Sequence, residues 1–93
     1  MNLEFEWDEA KATENYARHG VSFELAKQVF NDPFAVERID DRRDDGEERY
    51  ILIGLASGHG LFVAYTEREE RIRLISARRA TKHEQDDYFR RNI

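Results

Sequence analysis

The stretch Tyr65-Thr66-Glu67-Arg68, continued in Arg71-Ile72-Arg73-Leu74-Ile75-Ser76-Ala77-Arg78-Arg79, holds the residue types that phosphodiester chemistry needs. Cleaving RNA without a metal takes a base for the ribose 2′-hydroxyl, cations for the phosphate as charge builds, and an acid for the departing oxygen. Glu67 offers a carboxylate; Arg68, Arg73, Arg78 and Arg79 surround it along the chain, and Lys11, His19 and His83 are basic groups elsewhere. Arginines alternating with aliphatics set planar guanidinium forks at fixed positions on a strand, where they can grip phosphates. The same pattern also suits a solvated strand face. Arg71 and Arg73 share the parity opposite Ile72 and Leu74, and Glu67 could simply pair with Arg71 at a hairpin end. His19 stands where a helix dipole favours a histidine, and Lys11, one turn into a helix, would ordinarily face solvent. From the residues alone, both readings stay open.

Charge supports an anionic partner, but only locally. The 93 residues carry a formal net charge of −5, yet residues 1–48 hold 6 Lys+Arg against 14 Asp+Glu while residues 49–93 hold 9 against 6. An asymmetry between halves points to an anionic partner for the basic half. The absence of cysteine excludes a disulfide framework and a thiolate metal site. His19, His59 and His83 show no ligand spacing, Asp40-Asp41 and Asp44-Asp45 fit no calcium loop, and Gly58-His59-Gly60 opens no helix that could cradle a phosphate. No metal and no cofactor is therefore expected. The start lacks a signal-peptide pattern and the run from Tyr50 to Tyr65 is too short and interrupted to span a bilayer, so a soluble cytoplasmic protein without membrane contact is expected.

The elements that must position these residues follow from periodicity. Leu3, Phe5 and Trp7 alternate with polar residues as a short half-buried strand. Asp8 can cap a helix to about Arg18 with Ala12, Tyr16 and His19 on one face, stopped by Gly20. Ser22 caps a second helix with Phe23, Ala26, Val29 and Phe30 as its stripe, ended by Asn31-Asp32-Pro33. Strands are expected over Phe34–Asp40, Arg49–Ala56, Leu61–Glu67 and Arg71–Ala77; Arg49–Ala56 is apolar on both parities and should be covered on both faces. Thr81-Lys82-His83-Glu84 reads as a capping box that starts a C-terminal helix with thin apolar anchoring. The spacing thus predicts one α+β domain over residues 1–93. A short N-terminal strand and two helices pack on a four-stranded antiparallel sheet, the helices cover one face, and a helix closes the chain.

The order and spacing of Phe5-Glu6-Trp7-Asp8, Lys11-Ala12, Asn15, His19-Gly20-Val21-Ser22-Phe23-Glu24, Ala26 and Asp32-Pro33 resemble the BrnT family of bacterial toxins. The likeness continues in Asp41-Arg42-Arg43, Gly46-Glu47-Glu48-Arg49, Tyr65-Thr66-Glu67-Arg68 and Arg73 to Thr81, and so covers nearly the whole chain. The resemblance implies a RelE-like ribonuclease fold and a type II toxin–antitoxin system in which RNA cleavage stalls translation. It implies a BrnA-like ribbon-helix-helix antitoxin, with operator DNA met only through that partner. Carried over by residue, activity falls on Glu67, Arg68 and Arg78, with Lys11 and His19 as further candidates. Glu67 is the expected base, Arg78 and Arg68 the phosphate clamps, and Arg73, Arg79 and Lys82 the contacts along the RNA backbone. The acidic total departs from the basic character of many relatives, and phosphate contacts supply much of RNA affinity.

A catalytically inactive, toxin-like binding module acting as co-repressor with its antitoxin is the competing reading. Convergence of Glu67, Arg68 and Arg78 on one cleft would favour cleavage; divergence onto different faces would favour the module. Direct DNA binding is a poor third, because no helix is basic enough for a major groove. The C-terminal helix and the acidic loop Asp40–Glu48 are the expected antitoxin surface, masking a Glu67–Arg78 cleft.

Overall fold

A computed structural model of the chain describes residues 3–40 and 47–92. Phe5–Glu6 forms β1. Asp8 accepts a hydrogen bond from the Lys11 N–H at 3.0 Å and opens α1, Glu9–His19. Gly20 ends that helix at φ 68°, a conformation that favours glycine, and returns its N–H to the Tyr16 carbonyl. Ser22 caps α2, Phe23–Ala26, after which the backbone tightens into a 3₁₀ turn over Lys27–Asn31 instead of continuing as one helix. Strands β2 (Val36–Asp40), β3 (Arg49–Ala56), β4 (His59–Arg68) and β5 (Arg71–Arg79) follow, then α3 (Lys82–Arg91). The capping box between Thr81 and Glu84 is made in both directions.

The strands form one five-stranded sheet in the order β1-β5-β4-β3-β2, with β1 parallel to β5 and the other pairs antiparallel. This corrects the expected four-stranded antiparallel sheet: the N-terminal strand joins it as a fifth, mixed member. Alternation in Leu3–Trp7 reveals an extended segment but not its partner. The partner is β5, whose Ile72 N–H reaches the Glu4 carbonyl at 2.8 Å.

Helices lie on both faces, not one. Val21, Phe23, Ala26 and Val29 pack against Leu52, Val63, Tyr65, Leu74 and Ala77 on the first face. On the second, Tyr88 of α3 joins Val36, Ile51, Ile53 and Ala64. The two-sided apolar character of β3 demands such double cover. Gly54 in β3 marks the closest approach beneath the first layer, since a Cβ there would meet Ala35 Cβ, Asp32 Oδ2 and Val29 Cγ1 at 3.0 Å. On α1, Ala12 packs against the first core. Tyr16 is 58% exposed, and Asn15 is the residue that turns inward.

One irregularity sets where the arginines point. The β4–β5 register runs from Ala64↔Ser76 to Tyr65↔Leu74 and leaves Ile75 as an extra residue in β5. Such a bulge inverts the side-chain parity beyond it. Ile72, Leu74 and Ala77 thereby all join the first core, while Arg73 and Arg78, of opposite sequence parity, come to the same second face.

Candidate functional site

Alpha-helix α3 covers only part of the second sheet face. The end that no described helix covers is built across the strands, where Asp40 pairs with Arg49, Thr66 with Arg73, and Arg73 with Glu6. Arg68 stands opposite Arg71 at the β4–β5 turn. Glu6 binds both Arg73, at 3.2 Å, and Arg71, at 3.5 Å, and Arg71 also approaches Glu4 at 3.8 Å. Arg68 donates through Nε to Glu47 at 2.9 Å, which holds its guanidinium firmly charged. The Thr66 hydroxyl donates to the Glu48 carbonyl, and the Nε of Arg49 is buried with no hydrogen-bond partner among the described residues. The turn that aligns Arg68 with Arg71 is strained, for Glu69 (φ 49°) and Glu70 (φ 68°) are both left-handed non-glycine residues.

Toward α3 the same face becomes a polar recess lined by Arg38, Asp40, Phe62, Arg78 and Glu84. The Arg78 guanidinium lies 3.9 Å from the Phe62 ring centroid and makes a two-point contact with Glu84 at 2.9 Å on each arm. Glu84 also accepts from the Thr81 N–H at 2.8 Å. Its bond with Arg78 is the main reason its carboxyl lies below the usual range, with the Thr81 bonds helping against partial burial. Arg78 thus fastens α3 to the sheet.

The structure divides the residues expected to act together. Arg68, Arg73 and Arg78 share the second face. Glu67, paired with Ile72, follows Tyr65 on the first face, close enough to raise the Tyr50 and Tyr65 hydroxyl pKa values as a lesser contributor. For Tyr65 the main cause is burial, followed by its hydrogen bond to Glu37. Glu67 and Arg78, expected to form one cleft, stand apart: their cross-strand partners, Ile72 and Phe62, are at opposite ends of the β4–β5 ladder. Arg71 pairs with Glu4 and Glu6, not with Glu67 as the hairpin-end reading had it. Lys11 and His19 are exposed on α1 and line a groove with Arg18 and Ser76 along the outer edge of β5. Arg79 is opposite Leu61, pointing to the first face, and its Nη1 sits 2.9 Å from His59 Nδ1. Lys82 pairs with Asp86 on α3 at 3.3 Å. Glu6 and Arg49 were missed as site residues. Glu6 lay in the N-terminal motif, but nothing in the sequence ties that motif to β5.

Among the described residues no three His, Cys, Asp or Glu side chains come together as metal ligands, and no helix is long and apolar enough to cross a membrane. Most of the acidic segment expected to meet an antitoxin, residues 41–46, lies outside the described residues. The model of the BrnT family, the ribonuclease toxins of type II toxin–antitoxin systems, matches residues 7–84. The chain belongs to the BrnT family. Comparison with curated proteins found no match. Among the described residues the second sheet face groups Arg68, Arg71 and Arg73 on a rigid sheet. The matched span begins at Trp7, directly after β1, and includes every arginine of that face.

Proposed function

We propose that this BrnT-family protein is a RelE-like endoribonuclease that cleaves RNA without a metal ion and thereby inhibits translation in the cytoplasm. The observation that carries the reading is the grouping of Arg68, Arg71 and Arg73 on one sheet face, with no described helix over them, in a ribonuclease-toxin family member. Positioned guanidinium groups stabilise the charge that grows on phosphorus, and each such donor is worth on the order of 10²–10³ in rate. Arg68 and Arg73 keep the phosphate roles expected of them. Arg78 acts from the α3 side of the same face, and Lys11 and His19 border it along the β5 edge. The partner is a BrnA-like ribbon-helix-helix antitoxin that covers the arginine face and carries the pair to operator DNA. Induction without antitoxin should arrest growth and leave cleaved transcripts, and purified protein should cleave RNA equally in excess EDTA. Loss of cleavage in EDTA that magnesium restores would remove metal independence; no cleavage under any condition would remove the enzyme.

The co-repressor reading draws on a specific observation, the divergence of Glu67 from Arg68 and Arg78. If growth continues on induction while toxin and antitoxin together still bind operator DNA, that reading replaces the first.

A further inference from the structure

Among the described residues, β1 brings a carboxylate to the arginine face that no other element supplies in the same way. Glu6 is in register with Arg73, its side chain is 27% exposed, and it bridges Arg71 and Arg73. Five other described carboxylates near this face or its ends are less well placed, Asp40 because it stands on β2, opposite Arg49 and three strands from β5. Glu84 is committed to Arg78 and to the Thr81 N–H. Glu47 is engaged by the Nε of Arg68 at 2.9 Å, and Glu4 is 74% exposed and touches Arg71 only at 3.8 Å. Glu67 points to the opposite face. The short strand that carries Glu6 is held in place by parallel pairing of its backbone against β5 and by Phe5, anchored edge-on to Phe30 at 5.0 Å.

We propose that Glu6 is the general base of RNA cleavage, with Arg71 and Arg73 holding the adjacent phosphate; this rests on the ribonuclease reading above. RNA meeting this face puts a phosphodiester on the two guanidinium groups, each of which has donors to spare beyond Glu6. The flanking ribose then places its 2′-hydroxyl at the Glu6 carboxylate. Glu6 takes the hydroxyl proton as the 2′-oxygen bonds to phosphorus. The bond from phosphorus to the 5′-oxygen breaks, its electron pair leaves on that oxygen, and the oxygen takes a proton from water. Glu6 returns its proton to the solvent. The products are a 2′,3′-cyclic phosphate and a 5′-hydroxyl end, and no redox partner or metal enters the balance.

The test is single-turnover cleavage of a transcript, free and engaged by ribosomes in a purified translation system, by the intact protein and its Glu6→Gln variant. General-base catalysis contributes about 10²–10⁴ in rate, so Glu6→Gln should cleave at least a hundredfold more slowly. Binding of a 2′-O-methylated RNA of the same sequence should be unchanged or tighter, because a negative charge beside the phosphate is gone. Glu4→Gln, which removes the 74% exposed carboxylate on the same arginine, should cleave within about threefold of the parent, because salt screens an exposed charge. An unaltered Glu6→Gln rate overturns the proposal while leaving the ribonuclease reading intact. Loss of binding in parallel with rate also overturns it, since Glu6 would then be structural. If Glu6→Gln does not fold, Glu6→Asp draws the carboxylate back by one methylene, and an undiminished rate there overturns the proposal equally. Inertness of the parent on both substrates removes the ribonuclease reading itself, and the proposal with it.

Discussion

The side-chain amide of Asn15 and the main chain of Ala77, 62 residues apart, exchange two hydrogen bonds: Asn15 Nδ2 donates to the Ala77 carbonyl at 2.9 Å and the Ala77 N–H donates to Asn15 Oδ1 at 3.1 Å. Beyond the short reach of β1, one amide thus does for the edge of β5 what a neighbouring strand would do. Nδ2 also donates to the Val21 carbonyl at 3.0 Å, which ties the α1–α2 connection to the same point. Asn15→Ala should therefore leave buried main-chain groups unpaired and cost about 2–4 kcal/mol, read by urea unfolding. Asn15→Asp should be no better, because its carboxylate would face two carbonyl oxygens. A loss below about 0.5 kcal/mol would show that water replaces the amide.

Stability should fall at both ends of the pH range, through the bonds that hold α3. Partial burial acts to raise the Asp32 carboxyl, but bonds from the Leu55 N–H, the Phe34 N–H and the Tyr88 hydroxyl outweigh it and hold it below its ordinary 3.8. Glu84 is likewise held below 4.5, mainly by Arg78. Each depressed carboxyl contributes fully above its unfolded-state value and loses that contribution as pH falls through the folded-state value. Tyr88 is the reverse case. Burial and then Asp32 push its hydroxyl from 10.0 up to about 12, so its contribution is intact below 10 and is lost as pH rises toward 12. Urea midpoints across pH should show both limbs, with Glu84→Gln flattening the acid limb and Tyr88→Phe the alkaline one. An acid limb that survives in Glu84→Gln and Asp32→Asn together would place its origin elsewhere.

Binding to single-stranded RNA should depend on salt in proportion to the arginines that touch phosphate. Each phosphate contact removed lowers the slope of log affinity against log salt by about 0.7. Arg73→Ala should lower it by that amount, and Arg68→Ala combined with Arg73→Ala by about twice as much, measured by anisotropy on a 2′-O-methylated RNA. Arg38→Ala, toward α3, distinguishes a local site from a face-wide one: an equal change would extend the RNA track into the recess beside Phe62.

The β4–β5 turn should yield stability to a simple substitution. Glu69 and Glu70 occupy the two left-handed positions of a two-residue hairpin where asparagine and glycine are favoured. Glu69→Asn with Glu70→Gly should stabilise the protein by about 1 kcal/mol by relieving that conformation. The result is read in thermal unfolding. If the same change slows RNA cleavage, the strained turn is part of what aligns Arg68 with Arg71; a stabilised protein with full activity would make it merely a weak turn.

Much of the fold was legible because its signals are local. Asp8, Ser22 and Thr81 supply oxygens at helix starts, Gly20 supplies a left-handed stop, and the doubly apolar run Arg49–Ala56 must be sandwiched whatever surrounds it. Those features rest on hydrogen bonds and periodicities within a few residues, and the family was readable for a related reason, since the motifs keep their order along the chain. The site was not legible in the same way. Which residues face one another depends on a single extra residue at Ile75, which inverts parity so that Arg78 rejoins Arg73, and on the parallel docking of Phe5–Glu6 against Ile72–Arg73. Glu67 is next to Arg68 in sequence but not on its face, because adjacent residues on a strand point to opposite faces. The chain by itself determined the elements and their caps. Long-range register, fixed only when the two cores packed, decided which charges share a face.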